Sequence, residues 1–318
     1  MPGAAGCWDW KSEMPRIDAH LHVFPPHSSQ YPRRITQACP AGRDENVEKL
    51  LQQMEAHGID QAVLTQMGGG QIEDHAYLQH CLKTYPKRFR GIGLIPEDCA
   101  KPEDHMDRLA ADGDIIGFRL KTLGGPRDPF APMDVRTFSS YPIWKRAAEQ
   151  DYVMWLYLRA SDVHLSAYLI DAFPQVRVVI NHMGATPAAG KFYWDDKGRP
   201  QLESPNFYFA MHTLHRLSRY ENVVMHLSGQ YACSKEPFPY RDLAGLHDLL
   251  LFSFGSKRLM WASDAPWIYD DPGYGAYTTI IEKLLPNIRP DELDDIMGHT
   301  AQRFLGFPGD VAGEIYGD

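Results

Sequence analysis

The residues best suited to chemistry lie far apart in the chain. Asp18, His20 and His22 alternate in the segment DAHLH, and His182 and Asp264 follow well downstream. In a strand, side chains two residues apart point to the same face, so the first three are expected to lie side by side. Imidazoles can donate hydrogen bonds or bind a metal, and a carboxylate can accept a proton. The spacing therefore predicts a site for proton transfer or metal binding, provided that the fold brings the three segments together.

Eight short runs of β-branched and aromatic residues could supply that fold. They lie at residues 16–20, 61–65, 89–95, 115–120, 152–158, 176–181, 222–228 and 258–263. Helical patterns separate and follow them, at 44–56, 73–84, 102–111, 141–149, 162–172, 204–219, 241–254, 274–285 and 291–304. Strand followed by helix, eight times over, predicts an α/β fold in which parallel strands close into a TIM (β/α)8 barrel. We expect one barrel domain over residues 16–318, preceded by a leader at residues 1–15 without a secretory pattern.

The segments that follow the strands are much longer than those that follow the helices. They span 21–43, 121–140, 183–203, 229–240 and 264–273. In a barrel, the strand-to-helix loops form the face that carries the chemistry. Aromatic residues such as Trp194, Tyr231 and Trp267 argue against disorder, so we expect these loops to act as lids. Among the helices, the first is expected to be capped by Asp44 and ended by Gly58.

Composition limits the partners. The formal net charge is -9, from 41 acidic and 32 basic residues without a long basic run, which argues against nucleic acid. No apolar run reaches the roughly 18 residues of a membrane-spanning helix. The five cysteines are scattered, which argues against a disulfide framework and against a thiolate metal site. We expect a cytoplasmic protein with a small-molecule substrate, and the sequence leaves open whether it forms a homo-oligomer.

Polar residues collect where the predicted strands end. They are His20, His22, Arg119, Tyr157, His182, Ser228 and Asp264. The carboxyl ends of parallel strands meet at one face of a barrel, so these side chains would share one mouth. Taken singly, each has a plainer explanation, because a strand-end histidine is usually a hydrogen-bonded core residue and Asp264 could cap a turn. Two imidazoles on one apolar strand are costly to bury without partners, which favours a functional pair.

These segments resemble the amidohydrolase superfamily. The likeness lies in residues 17–24 (IDAHLHVF), 117–119 (GFR), 179–184 (VINHMG), 227–229 (LSG) and 259–267 (LMWASDAPW), and it runs from about residue 16 to residue 305. Within the superfamily, the chain is most similar to the amidohydrolase-related group of lactone hydrolases and decarboxylases. The resemblance implies a distorted, amidohydrolase-like barrel. It also implies that His20 and His22 bind a metal or hold the substrate, that His182 polarises the scissile group and that Asp264 handles the proton.

One departure from the family pattern bears on the metal. The metal-dependent branch usually has a histidine at the end of the fifth strand, whereas this chain reads VMWLYL over residues 153–158. A catalytic zinc normally keeps three protein ligands and an open position. His20, His22 and Asp264 could supply three. We therefore expect either no cofactor or one divalent metal ion, and zinc is the ion that we expect if one binds. Tyr157 in this strand favours the metal-free branch, which is similar to pyrone-dicarboxylate lactonases.

The reaction that this resemblance favours is hydrolysis of a carboxylated lactone or a similar ester. Asp264 would take a proton from water while the three histidines donate to the carbonyl oxygen. Arg119 is the expected anchor for a substrate carboxylate, because a guanidinium can hold both oxygens. Lys121, Tyr157 and Trp267 are further candidates for substrate contact, although a solvated lysine and packed aromatic rings are commoner.

Two other functions stay open. The first is non-oxidative decarboxylation of an aromatic or muconate-type acid on the same barrel, which usually depends on the strand-five metal ligand that this chain replaces. The second is a non-catalytic binding barrel. The joint presence of His20, His22, His182 and Asp264 argues against that second function, because a scaffold needs none of them.

Overall fold

The computed structural model describes residues 15–128, 131–186, 192–203, 205 and 215–307. Within these ranges, an eight-stranded parallel sheet curls into a nearly closed barrel. Its strands are β1 (Ile17–Leu21), β2 (Gln61–Thr65), β3 (Phe89–Leu94), β4 (Ile115–Leu120), β5 (Val153–Leu156), β6 (Val178–Ile180), β9 (Val223–Leu227) and β10 (Leu259–Trp261). A short antiparallel hairpin of β7 (Phe192–Trp194) and β8 (Pro200–Leu202) is inserted between β6 and β9. The eight predicted strands and the (β/α)8 architecture are confirmed.

Helices follow most of the strands. The described helices are α1 (Val47–Ala56), α2 (Ala76–Thr84), α3 (Pro102–Ala110), α4 (Tyr141–Gln150), α5 (Ser166–Ala172), α6 (Gln230–Cys233), α7 (Ala244–Phe254), α8 (Tyr274–Tyr277), α9 (Ile280–Leu284), α10 (Pro290–Asp294) and α11 (Thr300–Leu305). A π-helical turn, Asp295–His299, joins the last two. The predicted leader and most of the helix predicted at 204–219 lie outside the described residues. In the part of the chain that is described, no helix is both long and apolar enough to cross a membrane.

The start of α1 differs from the prediction. Asn46 caps the helix, because its side chain accepts a 2.9 Å hydrogen bond from the backbone N–H of Lys49. Asp44 instead accepts a hydrogen bond from the Asn46 side chain at 3.2 Å. The predicted end is confirmed, since Gly58 follows the last turn with a φ of 66°.

Side chains of the strands alternate between the barrel interior and the layer beneath the helices. The interior is filled by Ile17, Ala19, Val63, Ile92, Val153, Trp155, Val179, Val224, Met260 and Ala262, all of them buried. Neighbouring strand residues, such as Leu64 and Met154, pack in the outer layer with residues of the helices. The interior is therefore a packed core, and the polar residues of the strand ends lie above it.

A β-bulge in β1 changes which residues face the interior. Between Asp18 and Leu21 the register against β2 shifts by one residue. Ala19 and His20 therefore both contact interior residues, whereas Asp18 turns towards the outer layer. The prediction that Asp18 lies beside His20 and His22 is wrong for this reason.

Asp18 instead links the first strand of the barrel, β1, to the segment that follows the last strand, β10. Its carboxylate accepts hydrogen bonds from the Ser263 backbone N–H at 2.9 Å and from the Tyr274 hydroxyl at 2.8 Å. Complete burial raises the pKa of Asp18 to about 6. Two residues further along β1, the carbonyl of His20 accepts a 2.9 Å hydrogen bond from the backbone N–H of Asp264. The segments that carry the first histidine and the last carboxylate are thus fixed to each other by the barrel closure itself.

Candidate active site

Three histidines and a carboxylate converge at the carboxyl ends of β1, β6 and β10. Nε2 of His20 lies 3.5 Å from Oδ1 of Asp264, and Nε2 of His22 lies 3.4 Å from the same oxygen. The ring centroid of His182 lies 5.3 Å from that of His20. His182 is partly exposed, and the other three residues are buried. Residues from three distant segments, singled out in the sequence, therefore share one site.

Thr65, the last residue of β2, contacts both histidines of the DAHLH segment. Its backbone carbonyl lies 2.8 Å from Nδ1 of His22, and its hydroxyl lies 3.1 Å from Nδ1 of His20. A carbonyl oxygen can only accept, so Nδ1 of His22 carries a hydrogen, and Nε2 is the nitrogen that faces Asp264. The Thr65 carbonyl therefore fixes the orientation of the His22 ring.

His20 has a second partner, the indole of Trp155 in β5. Nε1 of Trp155 donates a 3.1 Å hydrogen bond to Nδ1 of His20. An indole N–H can only donate, so Nδ1 accepts and the hydrogen of the neutral ring lies on Nε2. Burial, reinforced by the neighbouring His22 and His182, lowers the pKa of His20 well below its usual value. His20 is therefore neutral at physiological pH.

Asp264 has one engaged oxygen and one available oxygen. The Tyr231 hydroxyl donates a 2.6 Å hydrogen bond to Oδ2, whereas Oδ1 has no hydrogen-bond partner among the described residues. Burial alone would raise the pKa of Asp264, but the nearby His182, His22 and Tyr231 outweigh it and hold the pKa below its usual value. Asp264 is therefore an ionised carboxylate that can accept a proton at Oδ1.

The backbone holds two of these residues in an uncommon conformation. His182 has a φ of 49° and Asp264 a φ of 55°. Only a few per cent of non-glycine residues adopt this left-handed region, and they cluster at functional sites. Gly229 leaves the space that the His182 ring needs, because a Cβ there would lie 2.9 Å from Nδ1 of His182. The Ser228 hydroxyl, 2.9 Å from the same nitrogen, completes the support of the ring.

Arg119 and Lys121 bring two positive charges to the site. Arg119 is 9% exposed, and its guanidinium donates to the carbonyl of Gln66 at 3.4 Å. Its Nε has no hydrogen-bond partner within the described ranges. Lys121 is exposed at the mouth, and the charge of Arg119 lowers the pKa of Lys121 to about 8. Two cations held this close together favour an anionic ligand.

Arg119 and Lys121 line a cavity of about 240 Å³ together with His22, His182 and Asp264. Trp194 from the hairpin and Trp267 from the loop after β10 form part of its wall, with ring centroids 6.3 Å apart. Arg199 fastens the hairpin to that loop, because it donates to the carbonyl of Asp271 at 2.9 Å. The long strand-to-helix segments therefore enclose a space sized for a small molecule.

The fit of a metal ion depends on the ring nitrogens. Ligand atoms of His20, His182 and Asp264 all lie within 4.8 Å of one another, a distance compatible with one shared ion. The sequence had suggested His20, His22 and Asp264 as ligands with His182 as a possible fourth, and the set that lies together contains His182 and not His22. A ligating nitrogen must offer a lone pair, but Nε2 of His20 carries a hydrogen and Nδ1 is engaged by Trp155. The hydrogen-bonded site therefore does not fit a metal ion.

The four residues predicted to contact the substrate lie together. Arg119, Lys121, Tyr157 and Trp267 all line the cavity that His22, His182 and Asp264 share. The ring of Tyr157 meets that of His182 edge-on, with centroids 5.1 Å apart. Their positions are consistent with substrate contact, and their individual roles stay predictions.

Sequence reasoning missed three residues that order the site. Thr65 and Trp155 were not singled out, and Tyr231 was expected only as a lid aromatic. A polar residue at the end of β2 was a usable signal for Thr65. Trp155 and Tyr231 had no such signal, because their hydrogen bonds join residues 135 and 33 positions apart.

A family model described as Amidohydrolase matches residues 17–307. The chain therefore belongs to the amidohydrolase family. No protein with a curated description matches it.

Solved structures share the fold over most of the chain. A candidate 2-pyrone-4,6-dicarboxylic acid hydrolase from Pseudomonas putida is 23% identical, with a TM-score of 0.68 over 92% of this chain and 98% of that one. An amidohydrolase from Burkholderia multivorans with bound zinc is 19% identical, with a TM-score of 0.68 over 92% of this chain and 100% of that one. The 5-carboxyvanillate decarboxylase from Sphingomonas paucimobilis is 16% identical, with a TM-score of 0.56 over 92% of this chain and 98% of that one. Since one fold serves hydrolysis and decarboxylation in these proteins, the reaction has to be argued from the site.

Proposed function

We propose that this chain is a metal-independent hydrolase that opens a carboxylated lactone or a similar ester. The observation that supports this most is the environment of Asp264. Its Oδ2 is engaged by Tyr231, and its available Oδ1 lies between Nε2 of His20 and Nε2 of His22. A carboxylate placed in this way can serve as a general base for water.

The attacking water would donate one hydrogen to Oδ1 of Asp264, beside Nε2 of His22. As the water oxygen bonds to the carbonyl carbon, its proton moves to Asp264 and negative charge develops on the carbonyl oxygen. N–H groups of His20 and His182 would donate to that oxygen, and removing one such donor typically lowers kcat about 10²- to 10³-fold. The bond from carbon to the ring oxygen then breaks, and Asp264 returns the proton to the leaving oxygen. The product is a hydroxy acid, which releases one proton at neutral pH.

Arg119 and Lys121 would hold the substrate carboxylate. Arg119 offers a partly unsatisfied guanidinium at the cavity, and Lys121 adds a second charge at the mouth. Tyr157 and Trp267 would contact the ring of the substrate from the cavity wall. Two cations beside a small apolar wall suit a compact, anionic ring better than a neutral ester.

Decarboxylation is the alternative that the experiment must separate. Hydrolysis of a lactone releases acid without gas, whereas decarboxylation releases carbon dioxide. Purified protein should be tested on a panel of carboxylated lactones and aromatic acids, with proton release and carbon dioxide recorded in parallel. We expect proton release without carbon dioxide on at least one lactone. Carbon dioxide from an aromatic acid, with no acid release from any lactone, would contradict the proposal.

A further inference from the structure

A buried chain of contacts runs from Trp155 through His20 to Asp264. We propose that Trp155 is a positioning residue that fixes His20 as an N–H donor towards Asp264 and so prevents His20 from acting as a metal ligand. The inference rests on the proposed function only in that it explains why the site would work without a metal. Its evidence lies in the hydrogen bonds of the ring itself.

The hydrogen bond between Trp155 and His20 has only one possible direction. The two nitrogens are 3.1 Å apart, and both side chains are fully buried. Because the indole N–H cannot accept, Nδ1 of His20 must be the acceptor. A hydrogen on Nδ1 would place the N–H of His20 directly opposite the N–H of Trp155 in the barrel interior, with no acceptor between them. This one contact selects the tautomer with hydrogen on Nε2.

Nε2 of His20 lies across the site from Oδ1 of Asp264. Nε2 of His20 and Oδ1 of Asp264 are both buried, and neither has a hydrogen-bond partner in the described ranges. They lie 3.5 Å apart, slightly beyond a good hydrogen bond. The site therefore holds a donor and an acceptor close together without joining them, and both can engage a reacting molecule.

His22, just after β1, differs from His20 at Nδ1. The Thr65 carbonyl accepts the hydrogen on Nδ1 of His22, whereas Nδ1 of His20 accepts the hydrogen of the Trp155 indole. The two rings therefore have opposite arrangements at Nδ1, which carries a hydrogen in His22 and none in His20. A ligating histidine commonly donates its second N–H to a carbonyl, as His22 does, whereas His20 accepts at that position.

The consequence for a metal follows directly. For Nε2 of His20 to ligate an ion, its hydrogen would have to move to Nδ1 and face the Trp155 N–H. Contacts of this kind behind a metal ligand change metal affinity about 10- to 100-fold. Without Trp155, Nδ1 could donate to the Thr65 hydroxyl 3.1 Å away, and Nε2 would become free to ligate.

The tautomer can be measured in the wild-type protein. Long-range proton–nitrogen correlation spectra of ¹⁵N-histidine-labelled protein, with His20 assigned from a His20→Gln variant, report which ring nitrogen bears the hydrogen. We expect hydrogen on Nε2 and a bare Nδ1. Hydrogen on Nδ1 would overturn the proposal, even if no Trp155 variant folds.

The metal consequence is tested by zinc titration against a competing chelator. Trp155→Phe removes the N–H, and Trp261→Phe is the matched control, because Trp261 is also a buried strand tryptophan but its Nε1 has no partner in the described chain. We expect Trp155→Phe to bind zinc about 10- to 100-fold more tightly than wild type and Trp261→Phe to match wild type. Equal affinities for wild type and Trp155→Phe, or stoichiometric zinc in wild-type protein purified without chelator, would overturn the proposal.

These measurements need no substrate, so they stand apart from the proposed reaction. A substrate screen that fails would leave the tautomer result intact. A ring with hydrogen on Nδ1 would leave a positive lactone assay intact.

Discussion

The Tyr231 hydroxyl donates a 2.6 Å hydrogen bond to Oδ2 of Asp264. This contact decides which oxygen of the carboxylate is available, because Oδ1 is left facing His20 in β1 and His22 just after it. Tyr231 lies in α6, the short helix after β9, so a residue of that helix orients a carboxylate that follows β10.

Tyr231→Phe should lower kcat about 10- to 100-fold with little change in KM. The reason is that the variant loses a hydrogen bond to a charged group, worth about 1.5–3 kcal/mol, and lets the carboxylate rotate. Steady-state kinetics on the lactone found by the screen measures the effect. Tyr240→Phe is the control, since the buried Tyr240 hydroxyl has no hydrogen-bond partner in the described ranges. Equal losses in both variants would show that Tyr231 acts only through packing.

His182→Asn should lower kcat about 10²- to 10³-fold and leave KM nearly unchanged, because the N–H acts chiefly on charge that develops in the transition state. Asparagine is chosen because residue 182 has a φ of 49°, which asparagine tolerates better than alanine. A KM that rises while kcat holds would make His182 a binding residue.

Carboxylate binding should weaken as the pH rises through about 8. The pKa of Lys121 is lowered to about 8 by Arg119, so the ammonium that attracts the substrate is present below this pH and is lost above it. We expect KM to rise about two- to fivefold between pH 7 and pH 9, the scale of an exposed charge pair. Lys121→Met should remove this rise, and Lys83→Met, which replaces an exposed lysine paired with Asp112, should retain it. The same KM profile in wild type and Lys121→Met would contradict the assignment.

The barrel could be predicted from the sequence because its signals are local. Each strand is a short β-branched run between turn residues, and each run appears as a strand within a few residues of its predicted bounds. His182 and Asp264 could be placed at one mouth because parallel strands end on the same face.

The parts that could not be predicted depend on contacts between distant residues. The bulge in β1 arises from pairing with β2, and a strict alternation of side chains therefore misplaces Asp18. The tautomer of His20 and the orientation of the His22 ring depend on Trp155 and Thr65, which only the closed barrel brings near. Residue types alone show that imidazoles are present and do not show which nitrogen donates.

The most direct test of the proposed chemistry is the rate of proton release by wild-type protein and Asp264→Asn on the same lactone. Residue 264 has a φ of 55°, which asparagine tolerates, so the variant should fold and melt within a few degrees of wild type. Wild-type protein should release one proton per turnover, and the variant should be slower by about 10²- to 10⁴-fold, because it lacks the base. An Asp264→Asn variant that releases protons at the wild-type rate would contradict the account.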